Sequence, residues 1–167
     1  MSARIVLDYR ALAPLLDAER ALGHSVALAN GCFDVLHVGH VRLLADAHRT
    51  ADVLVVALNG DAGARALKGP GRPFVPLAER AEVVAALAGV AYVTSFDEPT
   101  AEALIQALRP DVQVKGTDRT PETVPERAVL ERLGGRVVIC GDAKRHASSD
   151  LVAKLRRGSR GAGRPTR

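Results

Sequence analysis

The chain has 167 residues, 47% hydrophobic and 25% charged, which suits one domain with its own core and excludes a disordered segment. Aromatic residues make up 3% and Trp is absent, so the core falls to Ala, Val and Leu, and no stacking platform for single-stranded nucleic acid is present. The formal charge of +4 comes from Arg156, Arg157, Arg160, Arg164 and Arg167, with no acid after Asp150, so the body is close to neutral and argues against a nucleic-acid surface.

Residues 1–157 read as a single domain, and residues 158–167, rich in Gly and Arg, read as a flexible tail. Cys32 and Cys140 lie far apart and form no Cys-x-x-Cys pair, as expected for two reduced thiols, and neither has the neighbours of a zinc site. The N-terminus lacks the apolar stretch of a signal peptide. No uncharged apolar run approaches the ~20 residues that cross a bilayer. A soluble, cytoplasmic protein without membrane contact or a bound structural metal is the expectation.

In chain order, Leu12, Leu15, Leu16 and Leu22 recur at helical spacing and predict a helix over 9–22, stopped by Gly23. Residues 25–29 predict the first strand. Helix two, over 41–48, carries Val41, Leu43, Leu44 and Ala47. Strand two, 53–58, is apolar on both faces, as a buried parallel strand should be, and closes on a turn at Asn59-Gly60-Asp61. A loop follows with Lys68-Gly69-Pro70-Gly71-Arg72-Pro73. Leu77, Ala81, Val84 and Ala88 mark the next helix, and 91–94 the third strand. Thr100 is placed to cap a helix buried through Ala101, Leu104, Ile105 and Leu108. Residues 112–114 form strand four, 122–133 a helix, and 136–140 strand five. A last helix starts near Ser148 and Ser149. Strands alternating with helices predict an α/β fold with a mainly parallel sheet and helices on both faces.

The polar residues collect where such a sheet binds ligands, beyond the carboxyl ends of its strands. The stretch Asn30-Gly31-Cys32-Phe33-Asp34-Val35-Leu36-His37-Val38-Gly39-His40 carries a strand through a turn into a helix N-terminus. The free N–H groups and dipole of that terminus favour phosphate. His37 and His40 add side-chain donors, and Gly39 lets a ligand approach the backbone. Asn59 and Asp61 follow the second strand, and Lys115, Gly116 and Asp118 follow the fourth. Lys68, Arg72 and Arg80 add cations, and Ser148 with Ser149 offers a second anion-binding helix start. Each has a plainer alternative: a solvated charge for Lys68 and Arg72, a helix surface for Arg80, a turn cap for Asp34, and an N-cap for Ser148. No Ser/His/Asp triad or spaced carboxylate pair is present. The equipment suits phosphoryl chemistry, where positioning and charge stabilisation do most of the catalysis.

The Asn30–His40 stretch resembles the signature of the cytidylyltransferase-like nucleotidyltransferases. Within them, the Lys68–Pro73 loop, followed by Arg80-Ala81-Glu82-Val83-Val84-Ala85-Ala86-Leu87, is similar to the adenylyltransferase domain of bacterial ADP-heptose synthase. Val114-Lys115-Gly116-Thr117-Asp118 and Gly134-Gly135-Arg136-Val137-Val138 continue the resemblance in order. It implies a Rossmann-like sheet of five strands in the order 3-2-1-4-5. It also implies transfer of AMP from ATP, brought with Mg²⁺, to D-glycero-β-D-manno-heptose 1-phosphate. His37 and His40 would hold the ATP phosphates, Gly31 to Phe33 would line the nucleotide pocket, and Lys68 would meet the reacting phosphates. The attacking group is already a phosphate oxyanion, so no general base is required. The chain departs from the family pattern at Ala147-Ser148-Ser149, where Ser-Thr-Thr is usual, and at Arg119, where an aromatic is common. It lacks the fused sugar-kinase domain of many relatives, so a separate kinase is the expected upstream partner, and a homodimer stays open. The alternatives are a cytidylyltransferase using CTP with another alcohol phosphate or a phosphonate, and a silent nucleotide- or RNA-binding module.

Overall fold

The computed structural model describes residues 3–142 and Val152. A six-stranded parallel sheet forms its centre: β1 (Arg4–Asp8), β2 (Val26–Gly31), β3 (Val53–Asn59), β4 (Tyr92–Phe96), β5 (Val112–Gly116) and β6 (Arg136–Cys140), in the order β1-β4-β3-β2-β5-β6. The helices are α1 (Tyr9–Ala21), α2 (Val38–His48), α3 (Asp61–Lys68), α4 (Leu77–Ala85), α5 (Glu102–Leu108) and α6 (Arg127–Arg132).

The two faces of the sheet follow from period-two alternation. In β2 and β3, Ala27, Ala29, Leu54, Val56 and Leu58 join Leu44 and Ala47 of α2 and Ala81 and Val84 of α4. Their sequence neighbours Val26, Leu28, Val53, Val55 and Ala57 join Leu12 and Leu16 of α1, Leu104, Ile105 and Leu108 of α5, and Leu130 of α6. With both faces covered, every residue of β3 is buried. Each fully buried leucine stabilises the fold by about 2 kcal/mol.

The predicted five-stranded sheet is corrected to six. The five predicted strands take the expected order, and β1 adds to the edge beside β4, pairing Arg4 with Tyr92 and Ile5 with Val93. This strand is five residues long, charged at both ends and exposed at four positions, so it lacks a buried strand's pattern. Three other local expectations also shift. Residues 61–68, expected as turn and loop, form α3, which places Lys68 at a helix end. The helix expected over 122–133 splits into a 3₁₀ turn (Pro121–Thr123) and α6, because Pro125 has no N–H to continue a helix. Thr100 does not cap α5; Ala101 holds the N-cap position without a side-chain bond.

The chain runs from β2 to β3 and β4 on one side, then crosses to β5 and β6 on the other. The loop after β2 leads to α2 on one face of the sheet, while the loop after β5 leads to α6 on the opposite face. These diverging loops open a crevice at the carboxyl ends of β2 and β5, a topological switch point. No described helix is long and apolar enough to cross a membrane.

Candidate active site

The organising element of the crevice is the turn from β2 into α2. His37 is extended (φ −145°, ψ 169°) and caps α2, its Nδ1 accepting a hydrogen bond from Gly39 N at 3.1 Å. An accepting Nδ1 carries no proton, so the neutral ring is assigned its proton on Nε2. The helix begins at Val38, three residues before the predicted start, which brings Gly39 and His40 into its first turn. One turn on, the His40 ring stacks on His37 with centroids 3.9 Å apart and planes 28° apart. Phe33 packs beside His40 at 5.1 Å. To reach that position Phe33 adopts a left-handed backbone (φ 47°), a conformation that costs a non-glycine residue about 1 kcal/mol or more.

Burial holds the His40 imidazole's pKa down to about 4, with the neighbouring His37 and Lys68 charges adding to the effect. His40 is therefore neutral near pH 7, and its Nδ1 is buried without a hydrogen-bond partner. Burial also pushes the Cys32 thiol up, against the pull of Lys68 and Arg80, which leaves it a poor nucleophile.

Two adjoining cavities share this turn. The first, about 340 Å³, lies over Gly31 to Phe33, His37, Gly39 and His40, with Lys68 on one side. Its far wall is Lys115, Gly116, Thr117, Asp118 and Arg119, joined by Cys140 to Asp142 at the end of β6. That wall is tied together: Thr117 Oγ1 donates to Asp142 O at 2.6 Å, Arg42 pairs with Asp142, and Gly141 N donates to Asp46 Oδ2 at 3.1 Å. The second cavity, about 490 Å³, is lined by Asp34, Asn59, Lys68, Arg72, Phe96 and Glu126, among others. Asn30, Gly31, Cys32, Phe33, His40, Lys68, Lys115 and Arg119 border both.

Asn30 and Lys115 sit between the two cavities. Asn30 Oδ1 accepts from Lys115 Nζ at 2.9 Å and from Gln113 Nε2 at 3.1 Å. Burial lowers the Lys115 pKa, and Glu126, 3.5 Å away, partly restores it.

Asp34 links the signature turn to the Gly/Pro-rich loop. It is 4% exposed, its Oδ1 accepts from Phe74 N at 2.7 Å and Val75 N at 3.0 Å, and its Oδ2 lies 2.8 Å from Arg72 Nε. Arg72 also lies over the Phe74 ring, at 4.4 Å.

The structure thus brings together Asn30, Gly31, Cys32, Phe33, His37, Gly39, His40, Lys68, Lys115, Gly116 and Asp118 in the first cavity. It places Asp34, Asn59 and Arg72 in the second. Arg80 and Asp61 line neither. Arg80 is 1% exposed, and its guanidinium donates to Val75 O, Cys32 O, Asn59 O and Asp61 Oδ1 at 2.6–2.9 Å, so it braces the loops from below. Ser148 and Ser149, with the helix expected there, lie outside the described residues. Glu126, buried at the N-cap of α6, carries no local sequence signal, since an acid inside a predicted helix looks like surface charge. Among the described residues, no group of three His, Cys, Asp or Glu side chains is placed to hold a metal ion.

The chain matches the cytidylyltransferase-like family model over residues 28–153. It is 46% identical over 144 residues to the bifunctional protein HldE of Syntrophotalea carbinolica, covering 86% of this chain and 29% of that protein. It is 47% identical over 154 residues to the bifunctional protein HldE of Mesorhizobium japonicum, covering 92% and 31%. The chain therefore spans about three-tenths of the length of these relatives. Its fold is similar to that of the lipopolysaccharide core biosynthesis protein from Thermoplasma volcanium GSS1, with a TM-score of 0.64 and 23% identity, over 73% of this chain and 100% of that one.

Proposed function

Because the chain belongs to the cytidylyltransferase-like family and is a nucleotidyltransferase, we propose that it transfers AMP from ATP, bound as its Mg²⁺ complex, to D-glycero-β-D-manno-heptose 1-phosphate. The products are ADP-heptose and pyrophosphate. The observation that carries this reading is the pair of stacked imidazoles at the start of α2, both lining the first of two adjoining cavities, with His40 bordering the second as well. The first cavity suits the nucleotide, offering backbone groups at Gly31 to Phe33 and a helix N-terminus for the phosphates. The second suits the acceptor, and Lys68 borders both.

In this mechanism an oxygen of the acceptor phosphate attacks the α-phosphorus of ATP. The bond from that phosphorus to the bridging oxygen of pyrophosphate breaks, and its electron pair leaves with the pyrophosphate. No proton need be removed from the nucleophile. Charge grows on the α-phosphoryl oxygens and the leaving group, where the imidazole N–H groups of His37 and His40 and the Lys68 ammonium donate. Asn30, Gly116, Lys115 and Asp118 complete the nucleotide wall, and Asn59 and Arg72 face the acceptor. Mg²⁺ enters on the triphosphate, which needs few protein ligands. The acceptor arrives already phosphorylated, so a sugar kinase acts before this step.

The test is pyrophosphate release with Mg²⁺, heptose 1-phosphate and either ATP or CTP. Turnover with ATP is the expected result. Turnover with CTP alone would keep the chemistry and overturn the choice of base. Silence with both would overturn the acceptor and send the search to other phosphates and phosphonates.

A further inference from the structure

Glu126 stands at the wall of the second cavity, borders the first nowhere, and has no assigned part in phosphoryl transfer. Its side chain is 8% exposed, yet its acceptor capacity is poorly used. Oε1 receives one long bond, from Ala101 N at 3.4 Å, and among the described residues Oε2 has no close hydrogen-bond donor. Lys115 Nζ pairs with Oε2 only at 3.5 Å, a long ion pair, and gives its short bond to Asn30 instead. A buried carboxylate oxygen without a donor is costly, and native structures seldom leave one so.

The surroundings define the missing donor. A phosphate would be repelled by a carboxylate, whereas the same cavity offers Lys68, Arg72 and Arg119 in its lining. A cationic head group would meet the Lys115 ammonium already beside Oε2. A neutral hydroxyl fits both constraints. Phe96, Pro99, Val124 and Pro125 supply apolar wall for the carbon skeleton of a polyol.

Resting on the proposed second-cavity acceptor site, we infer that Glu126 is a specificity-determining residue: its Oε2 accepts a hydrogen bond from a hydroxyl of the acceptor. This selects a polyhydroxylated phosphate over an alkyl phosphate or phosphonate, and turns the acceptor's phosphate toward His40 and Lys68.

The experiment compares the intact protein with Glu126→Ala and Glu126→Gln, using ATP with heptose 1-phosphate and with a set of analogues each lacking one hydroxyl. Glu126→Ala is expected to raise the acceptor KM about 10- to 100-fold, the scale for losing a hydrogen bond to a charged group, with the KM for ATP unchanged. The unaltered protein should lose a similar factor on one deoxy analogue, and Glu126→Ala should lose no more on that analogue. Glu126→Gln, which keeps the shape and one acceptor oxygen, should fall between them and carries the comparison if the alanine variant does not fold. Equal losses on parent and deoxy acceptors, or a matching rise in the KM for ATP, would overturn the inference and reduce Glu126 to a partner of Lys115. If the unaltered protein turns over heptose 1-phosphate, such a result sinks this inference alone. If it accepts only non-sugar phosphates, the inference and the acceptor assignment fall together.

Discussion

His37 and His40 stack 3.9 Å apart at the first turn of one helix, and only one of them has a protein partner on Nδ1, the Gly39 amide. Two imidazolium rings at that distance would repel strongly, and burial further disfavours the charge on His40. His40 therefore works as a neutral N–H donor, which stabilises growing phosphoryl charge without holding the ground state too tightly.

Replacing either histidine by alanine is expected to lower kcat by ~10²-fold or more, the scale for losing one transition-state donor. Steady-state kinetics with saturating nucleotide check this. A change confined to KM would instead assign the rings to ground-state binding.

His40 also makes stability depend on pH. Folded, it binds its proton only near pH 4; unfolded, it does so near 6.5. Above pH 6.5 both states are neutral at this residue and it contributes nothing. As pH falls from 6.5 toward 4, the unfolded chain takes up a proton that the folded chain refuses, so stability is lost, by about 3 kcal/mol. The carboxylates held low, such as Glu19 by its bonds from His24 and Tyr92, act lower in the range, below their unfolded pKa of 4.5. Urea unfolding across this window should show a steeper fall for the unaltered chain than for His40→Gln. Parallel curves would contradict the neutral, buried assignment.

Arg80→Met should cost about 3 kcal/mol or more. It strips the shared donor from three backbone carbonyls, those of Val75, Cys32 and Asn59, at a side chain that is 1% exposed. Arg80→Lys should recover little, because one ammonium cannot reproduce the guanidinium fork. Chemical denaturation measures both.

Asp34→Ala should free the loop after α3. The Phe74 and Val75 amides lose their common acceptor and Arg72 its counter-charge, so hydrogen exchange at those two amides should accelerate by at least tenfold, the effect of losing about 1.4 kcal/mol of local stability. Asp34→Asn keeps an acceptor oxygen and should retain most of the protection. Unchanged exchange in Asp34→Ala would show that the loop is held by other contacts.

Much of this architecture was legible because it rests on local signals. The all-apolar run of β3, the leucine spacing of α1 and the His-x-Gly-His stretch after β2 each depend on neighbours in the chain. Edge strand β1 was not legible, because its exposed, charged-ended pattern makes sense only beside β4. Arg80 had the composition of a cationic binding residue, yet its bonds to the carbonyls of Cys32, after β2, and Asn59, in β3, both distant in sequence, turn it into a brace.

The sequence by itself determined the strand–helix alternation, the order in which the loops reach one sheet edge, and the donors after β2, since periodicity and turn chemistry act over a few residues. Tertiary structure alone decided which charges face the crevice and which are consumed beneath it. The burial of Arg80, the clamp of Asp34 on Arg72 and the half-satisfied carboxylate of Glu126 are set by groups 19 to 48 residues away or by a cavity wall built from several loops. The cost of burying a charge depends on partners that folding brings together.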